Sequence, residues 1–446
     1  MIRKKALVGY ALIGLTFQIC HTSSYNAFLQ QIYPIRSLQQ EAKMDRGTIS
    51  WLVSITIKDY IDFGRSEINK KEKSYHDHRY NIVHGRLSYS WENKHIPPSP
   101  PPPLMGKQMG KINTIGIPPL GYTLDGNVKI FRLIAQPVER TIVDESKKTD
   151  WEDLIPKKNL LHDIHKHLPI IQKLKAWGYN GVTPGPTIEV DEGDRVRIIV
   201  KNELPEPTSI HWHGLEIPNN MDGATPETNR PILPGETFTY EFTVYQSGTF
   251  IYHSGFNVAK QDDYGLQGFF ISHPKKYDHE IDRDIAIFLQ QWKLLPGIEN
   301  PNLTDMEFNW FTFNGLAAPN IPMITVNQGE RVRLRFGNVI MMSHPIHLHG
   351  YAWKVVGTEG GPIPVSAQWP GNTISVAPGT TRDVEFVAWN PGLWRLHCHK
   401  LHHIMNAHAA VPLPIMQHGG MFTILYVKPN KLNEPWKHPK EKYIQG

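Results

Sequence analysis

The chain has 446 residues, of which 40% are hydrophobic and 20% are charged, and its formal net charge is +5. This composition is that of an ordinary globular protein, and it excludes a fully disordered chain, which would contain fewer apolar residues. The basic residues are spread along the chain without a dense cluster, so nucleic-acid binding has no specific support.

The N-terminus combines a basic start with an apolar stretch of about 15 residues, which is typical of a secretory signal peptide. We assign residues 1–27 to this signal and expect a periplasmic or secreted protein. The apolar stretch is short for a permanent membrane span, so no stable span is expected after cleavage. Residues 28–115 form an N-terminal extension with a proline-rich linker at 96–104. Whether this extension is a small domain, a docking arm or partly disordered is left open.

The remainder of the chain consists of short segments in which apolar and polar residues alternate, separated by Gly and Pro. This pattern predicts an antiparallel β-sandwich or barrel. One helix is expected near 158–176, where Pro169 would interrupt it.

An internal repeat divides this β-rich part into two units. Residues 186–202 read PTIEVDEGDRVRIIVKN and residues 322–338 read PMITVNQGERVRLRFGN, at an offset of 136 residues. Each unit has the usual size of one domain. We therefore predict a first domain at 116–276, a second at 280–428, and a C-terminal tail at 429–446.

Four histidine clusters follow one another along the two units. A single His-x-His pair is a weak signal, because strand alternation places such pairs on one face by chance. Four clusters in this order, the last one enclosing a cysteine, indicate a metal centre. They are His211-Trp212-His213, His253, His344-x-x-His347-x-His349 and His397-Cys398-His399.

Cys398 is flanked by a histidine on each side. In a strand, the thiolate would face one way and both imidazoles the other. A thiolate with imidazoles is the ligand set of a blue-copper centre. At the offset of 136 residues Thr208 corresponds to His344. The second unit then has eight extra residues, so the offset becomes 144 and Ser254 corresponds to Cys398. Only the second unit can therefore hold such a centre.

With these motifs the chain closely resembles the multicopper oxidases, which are built from cupredoxin Greek-key barrels. The resemblance covers roughly residues 126–428 and is carried by HWHG, YHS, HPIHLHG and WRLHCHKLHH. It implies an all-β fold of two cupredoxin-like Greek-key β-barrels in tandem, preceded by the N-terminal extension. The first and third motifs lie too close for a further domain between them, so the chain is similar to two-domain, small-laccase-like members.

The resemblance implies up to four copper ions per chain. The type 1 copper would be held by His344, Cys398 and His403, with His408 at the axial position and Met405 as the alternative. The type 2 copper would take His211 and His347, and the type 3 pair would take His213, His253, His349, His397 and His399.

Asp222 follows the first motif and matches an acidic residue that helps to deliver protons to the cluster in this family. A carboxylate near two ligands is a fair candidate for a proton relay. Alternatively, Asp222 and the following Gly223 only form a turn.

The resemblance also implies the activity. A reducing substrate would give one electron at a time to the type 1 copper, and the trinuclear cluster would reduce O2 to water with four electrons. The donor stays open among phenols, Cu(I), Fe(II) and Mn(II), because substrate loops vary freely on such a scaffold. A homotrimer is expected, in which the first domain of one chain meets the second domain of the next.

One departure from the family pattern concerns Gly255, which stands where the family has a second histidine. We therefore expect Gly255→His to raise copper occupancy or oxidase rate, unless His273, Asn257 or a water completes the site. The departure supports an alternative function, a copper-binding or electron-transfer protein with an impaired cluster, for example in copper tolerance. A metal-free scaffold and a copper nitrite reductase rank lower, the latter because its blue site would fall at Ser254.

Overall fold

The structure is a computed structural model, and it describes residues 111–147, 149–154, 170–276, 279–303, 305–406 and 419–430. The predicted signal peptide, nearly all of the N-terminal extension and the candidate ligand His408 lie outside these residues. Everything below concerns the described part of the chain.

The first domain consists of two facing β-sheets. A short strand, β1 Asn113–Thr114, precedes this domain. The strands of the domain itself are β2 Thr123–Asp125, β3 Val128–Asp144, β4 Ile171–Tyr179, β5 Gly185–Asp191, β6 Arg195–Asn202, β7 Ile210–His213, β8 Thr237–Thr243, β9 Gly248–Ser254 and β10 Gln267–His273. One sheet has the order β2-β3-β6-β8 with β4 on β3, and the other has the order β5-β10-β9-β7. Strand β1 pairs in parallel with the first strand of the second domain.

The second domain repeats this arrangement. Its strands are β11 Arg283–Trp292, β12 Trp310–Phe313, β13 Ile324–Asn327, β14 Arg331–Asn338, β15 His344–Leu348, β16 Trp353–Thr358, β17 Gly361–Pro362, β18 Trp369–Gly371, β19 Thr373–Val376, β20 Thr380–Val387, β21 Gly392–Cys398 and β22 Phe422–Lys428. One sheet has the order β1-β11-β14-β20-β16-β17, and the other has the order β13-β22-β21-β15-β19. The predicted all-β fold of two tandem domains is confirmed.

Alternation explains why these segments form sheets. In β6 every second side chain is buried, and Val196, Ile198 and Val200 point into the core of the first domain. The same positions of the repeat in β14 place Val332 and Leu334 in the core of the second domain. Each domain thus buries one face of each of its two sheets against the other, which is the usual packing of a β-sandwich.

Within the described residues, two short helices interrupt the strands, α1 at Val258–Asp263 and α2 at Leu401–Met405. Single 3-10 turns lie at Glu152–Leu154, Asn219–Met221 and Val365–Ala367. The prediction of a helix near 158–176 is wrong for residues 171–176, because these residues belong to β4, which pairs with β3. Cross-strand pairing outweighs the local helix propensity of this segment.

The two domains share a buried interface. Phe269 of β10 packs against Phe288 of β11, with ring centroids 4.8 Å apart. Arg335 of β14 is 2% exposed and forms ion pairs with Asp284 and Asp383, and the Asp383 carboxylate accepts a hydrogen bond from Thr249 of β9 at 2.7 Å. Because buried charges need partners, this network fixes how the strands of one domain face those of the other.

None of the helices in the described residues is long and apolar enough to span a membrane.

Candidate metal centres

The second domain brings together one thiol and two imidazoles. His344 begins β15, Cys398 ends β21, and His403 lies in α2. The Nδ1 atoms of His344 and His403 are 3.0 Å apart, and the Sγ of Cys398 lies 3.4 Å from Nδ1 of His403. All three side chains have no exposed surface. We call these residues the thiolate centre.

Burial sets the proton affinities at the thiolate centre. It raises the pKa of the Cys398 thiol to about 12 and lowers the pKa of His344 to about 3 and that of His403 to about 2. The neutral imidazoles therefore keep their lone pairs near neutral pH, while the thiol needs a bound cation to become a thiolate. Two imidazole nitrogens and one sulfur that converge in an apolar core fit a copper ion.

Packing holds the His403 ring in place. Phe311 of β12 stacks on it with ring centroids 3.7 Å apart and an interplanar angle of 13°. Asn406, which ends α2, ties this helix to the same strand, because its side chain bonds the backbone N–H and C=O of Phe311. The orientation of His403 thus depends on β12, a strand that carries no ligand itself.

The histidines on either side of Cys398 point away from the thiolate centre. His397 lies beside His349, with their Nε2 atoms 3.0 Å apart, and the His399 ring lies 5.7 Å from that of His347. Strand alternation therefore places one thiol and its two sequence neighbours on opposite sides of β21. The second-domain set is His347, His349, His397 and His399.

The first domain contributes a set of three imidazoles, His211, His213 and His253. Their nitrogen atoms lie within 4.8 Å of one another, and Nδ1 of His213 faces Nε2 of His253 at 3.2 Å. Burial, together with the two neighbouring imidazoles, lowers the pKa of His213 to about 4. Among the described residues, no ring contact joins this set to the second-domain set.

Backbone carbonyl groups fix the tautomers of these imidazoles. A carbonyl oxygen can only accept, so each ring whose Nδ1 faces one must be protonated there and keep its lone pair on Nε2. This applies to four rings, whose Nδ1 atoms donate to carbonyl oxygens at 2.7–3.0 Å: His211 to Asp222, His253 to Ser254, His347 to Asn372 and His397 to Cys398. Four lone pairs preset on Nε2 fit metal coordination.

Asp222 lies next to the first-domain set. Its carbonyl oxygen is 3.0 Å from Nδ1 of His211, and its carboxylate oxygen Oδ2 is 3.4 Å from the same nitrogen. The carboxylate is 29% exposed, so it is open both to the imidazole and to solvent. This position is compatible with the predicted proton relay.

Gly255 has no room for a ligand side chain, which argues against the expectation that Gly255→His raises copper occupancy or oxidase rate. A Cβ atom there would lie 2.0 Å from the carbonyl oxygen of Gly223, so no side chain fits. The loop that presents Asp222 crosses β9 at this point, and Thr225 donates its backbone N–H to Gly255 at 3.1 Å.

The suggested substitutes for a ligand at Gly255 lie elsewhere. His273 ends β10 and its Nε2 bonds Glu189 at 2.6 Å. Asn257 is exposed and begins α1 in the left-handed conformation, with φ of 46°. Met405, the alternative axial residue, is half-buried against the core that contains the thiolate centre.

Sequence reasoning missed Asp262, a buried carboxylate whose Oδ2 lies 3.1 Å from Nδ1 of His253. Burial alone would lower the pKa of this imidazole, but the Asp262 carboxylate outweighs that effect and raises it. It also missed Phe311, which stacks on His403. Neither residue has a sequence signal, because one lies in a six-residue helix and the other in an ordinary apolar strand.

The chain is similar in sequence to known proteins. Residues 165–277 and 295–413 match sequence models of the multicopper oxidase family, together more than half of the chain. Laccase-1 of Cryptococcus neoformans var. grubii is 32% identical over 279 residues, which are 54% of this chain and 43% of that protein. An iron transport multicopper oxidase of Gibberella zeae is 45% identical over 120 residues, 26% of this chain and 19% of that protein.

A solved structure extends the similarity. The crystal structure of a blue copper oxidase from Nitrosomonas europaea has a TM-score of 0.54 and 26% identity, and the match covers 70% of this chain and 90% of that one. By contrast, the chain spans less than half of the length of the two curated relatives named above.

Proposed function

Because this chain belongs to the multicopper oxidase family, we propose that it is a copper-dependent oxidase with O2 as the electron acceptor. The observation that carries the proposal is the position of Cys398, whose side chain lies in the thiolate centre while its neighbours His397 and His399 lie in the second-domain set. The two kinds of centre are therefore joined by a few covalent bonds.

We propose the ligands that the family resemblance implies, and the convergence of His344, Cys398 and His403 supports the first of these sites. His344, Cys398 and His403 would hold the type 1 copper, with His408 as its axial ligand. His211 and His347 would hold the type 2 copper, and the remaining five histidines of the two sets would hold the type 3 pair, for up to four coppers per chain. Bound copper would supply the one-electron oxidation of the donor and the four-electron reduction of O2 to water.

The residues of the chain provide what this chemistry requires. The apolar walls of the thiolate centre exclude water, and the stack of Phe311 on His403 limits rearrangement of the ligands. Asp222 would hold a proton on Oδ2 and pass it between solvent and the first-domain set. The donor would be a phenol or a metal ion such as Cu(I), Fe(II) or Mn(II).

We propose that the oxidase is a homotrimer in which centres form between chains. Each imidazole set is preorganised, yet in the described part of one chain no ring contact joins the two sets. A ring of chains would bring the first-domain set of one chain to the second-domain set of the next. We also propose, from the predicted signal peptide at 1–27, that the protein works in the periplasm or is secreted.

Mixing two inactive variants tests the shared centre. His253→Ala damages the first-domain set and His397→Ala damages the second-domain set. In a ring, co-expression of the two would restore some intact centres and thus part of the O2 uptake. Separate centres in each chain would leave the mixture as inactive as either variant alone, and a monomer with full oxidase activity would refute the ring.

A second candidate function is favoured by Gly255. With no side chain possible there, the cluster would have one imidazole fewer, and the protein would bind copper or carry electrons without reducing O2. Copper content after anaerobic loading, followed by O2 uptake with a phenol and with Cu(I), separates the two. About four coppers per chain with O2 uptake supports the oxidase, and one copper with a blue colour and no uptake supports the carrier.

A further inference from the structure

Asp262 is a buried carboxylate aimed at a candidate ligand. Its side chain is 7% exposed, and its Oδ2 lies 3.1 Å from Nδ1 of His253. Its other oxygen, Oδ1, accepts the backbone N–H of Ser254 at 3.1 Å. The Asp262 carboxylate therefore contacts both the His253 imidazole and the backbone at the end of β9. It lies at the Nδ1 side of the ring, which leaves Nε2 on the other side.

The preceding residue keeps this carboxylate in place. The Oε1 atom of Gln261 accepts hydrogen bonds from the hydroxyls of Thr208 at 2.7 Å and Ser254 at 2.6 Å. Its Nε2 donates to a carboxylate oxygen of Glu206 at 2.9 Å. Because α1 is anchored at Gln261, the adjacent Asp262 has little freedom to turn away from His253.

The equivalent imidazole of the second domain is held differently. His397 donates its Nδ1–H to the carbonyl oxygen of Cys398 at 2.8 Å, as His253 does to Ser254 at 3.0 Å. Among the described residues, no carboxylate contacts His397. The extra negative partner thus occurs only in the domain in which Gly255 replaces a histidine.

We propose that Asp262 is a positioning residue that makes His253 a stronger metal ligand and thereby compensates for the imidazole missing at Gly255. This inference rests on the proposed function in that His253 binds metal. A carboxylate that accepts the Nδ1–H of a ligand histidine fixes the ring and increases the electron density at Nε2. The first-domain set would then hold its metal with fewer imidazoles than the family pattern provides.

The test is a Co²⁺ titration of the full chain without O2 or a donor. The thiolate-to-cobalt absorption reports the Cys398 centre and shows that the protein is folded. The paramagnetically shifted N–H resonance of His253 reports the first-domain set. Asp262→Asn should weaken Co²⁺ binding there by about 10- to 100-fold and shift or remove this resonance, while the thiolate band titrates as in the parent chain.

Two further variants complete the design. Asp263→Asn removes the adjacent carboxylate of α1, which does not contact His253, and should leave both signals unchanged. If Asp262→Asn also lost the thiolate band, the variant would not be folded, and Asp262→Glu, which keeps the charge, would replace it in the test. Asp262→Glu should retain both signals. Weak Co²⁺ binding at the first-domain set of this folded variant would overturn the proposal. Affinity of Asp262→Asn within twofold of the parent chain would also overturn it. Because the titration needs no turnover, a chain that fails to reduce O2 still gives a result.

Discussion

In the second domain a thiol and two imidazoles converge, and at the same place in the first domain there are two hydroxyls and an amide: Thr208, Ser254 and Gln261. The repeat relates Thr208 to His344 and Ser254 to Cys398, and Gln261 lies in the helix after β9, as His403 lies in the helix after β21. The strands at these two places pair in the same way, β7 with β9 and β15 with β21. The scaffold is therefore common to both domains.

The difference lies in how the polar atoms are satisfied. In the first domain, Gln261 accepts from both hydroxyls, so the cluster is complete without any other group. In the second, the Nε2 atoms of His344 and His403 have no hydrogen-bond partner among the described residues, and their Nδ1 atoms face each other. Buried polar groups are costly unless paired. The first cluster thus stabilises the apoprotein, whereas in the second the converging Nδ1 atoms of the two histidines and the Sγ atom of Cys398 can be satisfied together by a bound cation.

The largest effect on metal binding and activity is expected when Cys398 of the second domain is replaced by the serine that the first domain has at this position. Cys398→Ser should abolish the blue absorption and the oxidation of donors, because a hydroxyl is not deprotonated at neutral pH. Burying a hydroxyl in this core should cost about 1–3 kcal/mol of stability. Absorption spectra and urea unfolding measure the two effects. The matched control is Ser254→Cys, which adds a thiol without imidazoles, and a blue colour in that variant would contradict the comparison.

The two clusters should also differ in acid. The pKa values of His344 and His403 are lowered in the folded apoprotein to about 3 and about 2, whereas in the unfolded chain both are near 6.5. The unfolded state therefore binds more protons below about pH 6.5, so the free energy of unfolding is at its full value above that pH. It should fall as the pH drops towards 3, by up to about 1.4 kcal/mol per pH unit for each histidine.

Urea unfolding of the metal-free protein at about pH 7.5 and about pH 4.5 measures this loss. His344→Leu should reduce the difference between the two conditions, because one of the two groups no longer titrates. Thr208→Val, at the equivalent place of the first domain, removes no titratable group and should leave the difference unchanged. An unchanged difference in His344→Leu would show that other groups cause the acid sensitivity.

Much of this architecture could be predicted because the internal repeat allows the two halves of the chain to be aligned with each other. Matching GxRVR segments align the strands β6 and β14. Continuing this alignment along the two units shows, without a structure, that Ser254 of the first unit corresponds to Cys398 of the second. The histidines that the structure brings together are those in the four motifs, since alternation in short strands is enough to group them by face.

What the sequence could not predict depends on contacts between segments far apart in the chain. Gly255 stands where the family pattern has a histidine, but the sequence could not show that the loop at Gly223 leaves no room there for any side chain. Residues 171–176 resembled a helix, but they pair with β3. Asp262 and Phe311 act on His253 and His403 only because α1 and β12 fold against them.

A moderate effect is expected at Gly255. Gly255→Ala places a methyl group 2.0 Å from the carbonyl oxygen of Gly223, so the Asp222 loop must shift, at a cost of about 1–3 kcal/mol. Unfolding by urea measures the loss. Gly360→Ala is the matched control, because a Cβ there has its nearest neighbour at 3.7 Å. Equal stability of both variants would mean that the Asp222 loop does not pack tightly against Gly255.

The smallest effect is expected for a single bond of the first-domain cluster. Thr208→Val keeps the shape of the side chain but removes its hydrogen bond to Gln261, at a cost of about 0.5–1.5 kcal/mol. The exposed Thr237→Val in β8 should change stability by less than about 0.5 kcal/mol. Copper content and blue colour should be unchanged in both variants, because Gln261 keeps its hydrogen bonds to Ser254 and Glu206 when Thr208 is replaced. Altered copper content in Thr208→Val with a normal Thr237→Val would show instead that the Thr208 bond to Gln261 is itself needed to hold Asp262 beside His253.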